Sequence, residues 1–297
     1  MSDVEASLQR AQAALDLRRY KDAANEARTA IAVAPANWAG YALLAQALIA
    51  LEQAAAAEQA VVAGLAQDPQ NEWLHRLHAL ALLKRGRKQE ALRASDEAVK
   101  LAPYIFNTHV MRSEVLTALG RMDEAFVACS HAHELAPHDA GVKGALGDLC
   151  LQMNDALRAE QYYRESLAIE PCNAGTLNNL GVVLKNQKKM HEAALAFKSA
   201  IMADPTLKAA KKNTIMTIDQ MMKISGWGMF AWAMLQLFRL VDNNQSGWRL
   251  ILALIVLAVI GYQWWQVKER KRGLETADPQ LIKIYEQLKS DKKAGWF

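Results

Sequence analysis

The chain has 297 residues, 35 Lys and Arg against 31 Asp and Glu, and a formal net charge of +4. Three scattered cysteines, none in a CxxC pair, argue against a disulfide framework and suit a reducing compartment. Residues 1–205 hold 21 basic against 24 acidic side chains and residues 206–297 hold 14 against 7. The basicity therefore belongs to the last third, and the first part lacks the basic stripe of a nucleic-acid binder.

The N-terminus, MSDVEASLQRAQAAL, has no basic-then-apolar leader, so no cleaved signal peptide is expected. From there a 34-residue period governs the chain: Pro35, Pro69, Pro103, Pro137, Pro171 and Pro205 are evenly spaced. Ala23, Ala57, Ala91, Ala125, Ala159 and Ala193 run in phase, each twelve residues before its proline. A fixed period of this size is the signature of a repeat architecture. In the sixth copy Leu177, Leu180, Val183 and Leu184 recur at helical spacing, and Asn186–Lys189 form a polar turn. Ala193, Ala194, Phe197, Ala200 and Ile201 then mark one face of a second helix, which Asp204-Pro205 ends. Each copy thus reads as helix, turn, helix, stop. The small alanines, and Gly147 and Gly181 on the first helices, are expected where two helices cross closely. No alternating run argues for a strand.

These positions resemble the tetratricopeptide repeat, a 34-residue helical hairpin with a large-x2-Leu-Gly-x2-Tyr start, a small Ala, an aromatic and a terminal Pro. Leu177, Leu180, Gly181, Leu184, Ala193, Phe197, Ala200 and Pro205 carry the pattern in the sixth copy. Leu146, Gly147, Cys150, Ala159, Tyr163, Ser166 and Pro171 carry it in the fifth, and Tyr41, Leu44, Ala45, Leu48, Ala57, Val61, Gly64 and Pro69 in the second. The first copy is degenerate in its first helix, as terminal repeats often are. The resemblance implies an all-α, right-handed superhelical solenoid of six repeats over residues 1–205. It also implies that positions 2, 5, 9, 12 and 13 of each first helix face a concave groove for a protein or peptide. Trp73, Arg76, Leu80, Lys84, Tyr104, Asn107, Glu114, Asp148, Asn178 and Lys185 are the candidate partner-binding residues. For Trp73 and Tyr104 the alternative is packing between repeats. Some relatives grip a chaperone's C-terminal carboxylates with a Lys/Asn set, but Leu8 and Gln12 stand where the first Lys and Asn belong, so that role is not expected.

Residues 206–223 continue as one helix with Lys208, Lys211 and Lys212 on its polar side, expected to cap the solenoid. Two apolar segments follow, 224–241 and 248–267, around the turn Asp242–Gly247. Trp248 and Trp264-Trp265 bracket the second, about 25 Å apart along a helix and close to a bilayer's hydrocarbon thickness. The first, with Trp227, is read either as the other arm of a transmembrane hairpin or as an interfacial helix. Lys208, Lys211, Lys212 and Lys223 precede the pair and Lys268, Arg270, Lys271 and Arg272 follow it, whereas only Arg239 and Arg249 flank the turn. The positive-inside rule then puts the repeats and the tail on the cytoplasmic side of an inner or cytoplasmic membrane. Trp227, Trp248, Trp264, Trp265 and the four basic residues 268 and 270–272 are the expected anchors at the lipid interface. In the basic tail, 268–297, Asp278 and Pro279 suit a helix start, and Leu281, Ile284, Tyr285 and Leu288 share a face. That short helix is expected to lie on membrane or solenoid, or to dock a partner.

No catalytic constellation emerges, so neither enzyme activity nor a cofactor is expected. His131, His133 and His138 cluster with Cys129 and Asp139, but residues two apart on a helix point to different faces, and no metal site is expected. The run GVKGALG, Gly141–Gly147, has neither a preceding strand nor a following Lys-Ser/Thr and is not a phosphate loop. The apolar cores carry no charged residue of the kind a transporter needs. The reading is a membrane-anchored scaffold or assembly adaptor. Its alternatives are a homo-oligomeric structural protein and an accessory subunit of a membrane enzyme complex.

Overall fold

The computed structural model describes residues 3–223, 261–262, 265, 268–269 and 278–293. Among them every element is an α-helix. The expected membrane segments lie outside the described residues except for Gly261, Tyr262 and Trp265. Among the described residues no helix is long and apolar enough to cross a membrane.

The chain divides into two compact units, Met1–Asp155 and Ala156–Phe297. The first holds α1 (Asp3–Asp16), α2 (Tyr20–Val33), α3 (Trp38–Ala50), α4 (Ala54–Gln67), α5 (Glu72–Lys84), α6 (Lys88–Leu101), α7 (Phe106–Ala118), α8 (Met122–Leu135) and α9 (Ala140–Gln152). The second holds α10 (Ala156–Ile169), α11 (Ala174–Asn186), α12 (Met190–Ala203), α13 (Lys208–Lys223) and α14 (Pro279–Lys293). In unit 1 the pairs α1–α2, α3–α4, α5–α6 and α7–α8 are hairpins, and each second helix packs on the first helix of the next copy. In unit 2 the hairpin α11–α12 is flanked by α10 and α13.

The 34-residue frame repeats in local chemistry as well as in sequence. Asn37, Asn71, Asp139 and Asn173 start α3, α5, α9 and α11, their side chains accepting from the amides of Ala39, Leu74, Val142 and Thr176. Such caps satisfy amides that the helix itself leaves open. The same frame position before α7 holds Ile105, whose side chain cannot accept. The turn inside each copy places Arg18, Glu52, Gly86, Gly120, Asn154 and Lys188 at positive φ, between 57 and 76°. Only two of the six are glycine, the residue that adopts this conformation without strain.

The core is an alanine seam backed by one variable position. Ala23, Ala57, Ala91, Ala125, Ala159 and Ala193 are all fully buried. Four residues on in each copy, Ala27, Val61, Ser95, Cys129, Tyr163 and Phe197 are buried too. Where that residue is aromatic, position 8 of the same copy is glycine, Gly147 or Gly181; elsewhere it is Ala11, Ala45, Ala79 or Ser113. At Gly181 the reason differs from the expected backbone crossing. A Cβ there would lie 2.5 Å from Cε1 and 2.7 Å from Cδ1 of Phe197, so the missing methyl makes room for a ring.

α13, the helix expected to cap the solenoid, is itself partly covered. α14 packs on both α12 and α13. Leu281, Ile282, Tyr285 and Leu288 are buried with Ala194, Ala200, Ile201, Ala210, Ile215 and Ile218, while Ile284, expected on that face, is only partly buried. The apolar surface of α13 is thus half of a joint core, and the tail helix lies on the solenoid.

Candidate functional site

The first helices of unit 1 carry most of the expected partner-binding residues, and their environments differ. Trp73 on α5 is partly buried, packs against the apolar clusters of two successive hairpins, and meets Trp38 of α3 edge to face, with ring centroids 5.9 Å apart. It serves the joint between copies. Arg76 is tied to Glu72 one turn earlier, Nε to Oε2 at 2.8 Å. Leu80 is partly buried. Lys84, at the end of α5, and Asn107 and Glu114, on α7, reach solvent. α5 and α7 are neighbours in the stack, as first helices of successive copies. Glu114 is exposed by area yet crowded by protein. That desolvation raises its pKa, and the Lys84 ammonium pulls the other way. Tyr104 stands 86% exposed in the loop before α7, so it does not pack between repeats. Asp148 on α9 is partly buried.

In unit 2 Asn178 is buried, donates to Asn179 Oδ1 at 3.2 Å and accepts from Asn213 of α13 at 2.9 Å. α13 thus takes up its polar group. Lys185 is partly buried near the end of α11. Of the expected lipid-interface residues, Trp265 is half exposed, with Tyr262 5.6 Å away between ring centroids, and Lys268 is exposed. Trp227, Trp248, Trp264, Arg270, Lys271 and Arg272 lie outside the described residues. His131 pairs with Glu134 at 3.2 Å and approaches His109 at 5.8 Å between ring centroids. Among the described residues no group of three or more His, Cys, Asp or Glu side chains converges as metal ligands do. Cys129 is buried, its thiol pushed up to about 12 by desolvation, and is inert as a nucleophile.

Sequence reasoning missed the acids that join successive copies. Glu58 on α4 receives Arg85 and Arg87 from the turn of the next hairpin, with Arg87 Nη1 at 2.7 Å. Burial works to raise its pKa, but the two guanidinium groups hold it below the usual carboxylate value. Glu160 on α10 receives Lys189 at 3.0 Å and Arg164 at 2.8 Å. There too burial opposes ionisation, but hydrogen bonds from Arg164, Lys189 and Gln187 prevail and lower the pKa to about 2. The two acids lie three periods apart. That shared phase was the available signal.

Repeat models match residues 8–72, 140–171 and 174–207, each described as tetratricopeptide repeat. These are tetratricopeptide repeats. Residues 43–132 also match a family described as ChAPs, the Chs5p-Arf1p-binding proteins. No curated protein matches the chain. Among solved structures it is similar to a thermophilic TPR protein of Thermus thermophilus, at TM-score 0.58 and 20% identity over 61% of this chain and 98% of that one. It is similar to pilF of Pseudomonas aeruginosa at TM-score 0.55 and 19% identity, over 71% and 96%. The APC/C hetero-tetramer Cut9-Hcn1 gives TM-score 0.59 at 17% identity, over 91% and 52%. At such identities the likeness shows the fold. Tetratricopeptide repeats mediate protein–protein interaction.

Proposed function

We propose that this protein is a membrane-anchored tetratricopeptide-repeat adaptor that holds a protein or peptide segment on the first-helix face of unit 1. One observation carries the reading: Lys84 and Glu114, on adjacent first helices, present opposite charges to solvent. Charged groups so placed select a partner by complementarity more than by area. The match of residues 43–132 to Chs5p-Arf1p-binding proteins supports a binding role for this stretch, because it spans α5 and α7. The apolar segments at 224–241 and 248–267, with basic residues outside the pair, support anchoring, with repeats and tail on the cytoplasmic side. Anchoring confines the search for membrane-bound partners to a surface and raises their effective concentration.

The test is capture of crosslinked partners by the full-length protein, read by mass spectrometry. Lys84→Glu with Glu114→Lys is expected to lower capture about tenfold, the loss of one interface anchor of about 1.4 kcal/mol, with melting unchanged. Unchanged capture moves the site off this face. Trp73→Ala is the control for packing, since it opens a void between two hairpins and lowers stability instead.

A further inference from the structure

The repeat frame does not stop at Pro205. α13 begins 34 residues after Ala174, the start of α11, and packs on α12 and α11 as a first helix does on the preceding copy. Thr217 on α13 is buried at the frame position that Ala47, Ala81, Val115, Leu149 and Val183 hold in earlier copies. α13 is therefore the first helix of a seventh copy. The frame would start its second helix shortly after residue 223, where the apolar segment begins instead.

In place of such a helix, α14 lies against α12 and α13. Ala194 of α12 holds the frame position of Glu58 and Glu160, the residues that reach the following hairpin, and it is buried in the cluster with Leu281, Ile282, Tyr285 and Leu288. One turn on, Lys198 binds both carboxylate oxygens of Asp278 at 2.6 and 2.8 Å. Asp278 also starts α14, accepting from the Leu281 amide at 3.1 Å. On α13, Asp219 accepts from the Tyr285 hydroxyl at 2.6 Å and lies 3.3 Å from Lys289 Nζ. Both polar anchors and the apolar face of α14 are thus used on α12 and α13.

We propose that α14 closes the solenoid in place of the seventh copy's second helix, so that the chain is held to the same unit both at Lys223, before the apolar segments, and at Asp278, beyond them. The consequence rests on the membrane-anchor reading: an excursion whose two ends are held by one folded unit crosses a bilayer an even number of times. A single span with the basic tail on the far side is excluded, on grounds independent of the charge distribution.

The experiment uses the full-length protein in sealed membrane vesicles and an impermeant maleimide. Cys172, exposed on unit 2, is one reporter. Ser290→Cys, exposed on α14, in a Cys172→Ser background is the other. Labelling from the same side is expected, and labelling from opposite sides overturns the proposal. Hydrogen exchange supplies a second readout that does not need the membrane. The amides of 279–293 are expected to be protected in the native protein and to exchange at least about tenfold faster in Lys198→Glu, which breaks a largely buried ion pair. Unprotected α14 amides in the native protein overturn the proposal. Carbonate-extractable protein with protected α14 supports it while removing the anchor reading.

Discussion

Gly181 and Phe197 offer a test of what sets the hairpin core. A methyl at 181 would lie 2.5, 2.7 and 2.9 Å from three carbons of the Phe197 ring, where carbon atoms prefer about 3.5–4.0 Å. The ring is fully buried and cannot swing to solvent, so it must retreat by about 1 Å into packed neighbours. Overpacking of that kind costs about 3 kcal/mol at its upper end, and replacing a helical glycine by alanine returns about 1. Gly181→Ala is therefore expected to destabilise the α11–α12 hairpin by about 2 kcal/mol. Phe197→Val alone leaves a void and costs about 2–3 kcal/mol. The double variant reproduces the second copy, where Ala45 and Val61 hold these positions and are both fully buried. It should cost no more than Phe197→Val alone, a coupling of about 2 kcal/mol. Native-state hydrogen exchange at α11 and α12 amides reads all three. A neutral Gly181→Ala, or an additive double variant, refutes the claim that the missing methyl makes room for the ring.

Backbone strain at the repeated turn predicts opposite responses at equivalent sites: Gly86→Ala costs about 1 kcal/mol with no steric clash, and Lys188→Gly returns a similar amount in unit 2. Urea denaturation checks both, and equal effects of one sign would contradict the frame. Ile105→Asn restores the cap that four other copies have and should stabilise α7 by about 1 kcal/mol, measured as slower amide exchange in its first turn. Glu160 has a folded pKa of about 2 against an ordinary 4.5. Its contribution is therefore complete above pH about 4.5 and lost as pH falls toward 2, and Glu160→Gln should flatten the acid limb of unit 2 stability across that window.

The sequence by itself determined the repeat. A 34-residue frame of Pro and Ala is local chemistry: proline bars helix continuation, alanine permits close approach, and neither needs to know what lies far away in the chain. Helix–turn–helix order within the copies followed from that. The tertiary structure decided what depends on neighbours. Trp73 looked like an anchor one turn from Arg76, but whether an aromatic on a first helix faces a groove or a joint depends on the adjacent copy, here Trp38. Asn178 looked like a groove residue until Asn213 took up its amide oxygen. Glu58 and Glu160 read as ordinary surface acids, because their partners sit 27 to 29 residues on in the next turn. Least legible was α14: its amphipathic face shows in sequence, but its seat on α12 depends on Lys198 meeting Asp278, 80 residues apart. No local period encodes so long a contact, since only folding brings those two charges together.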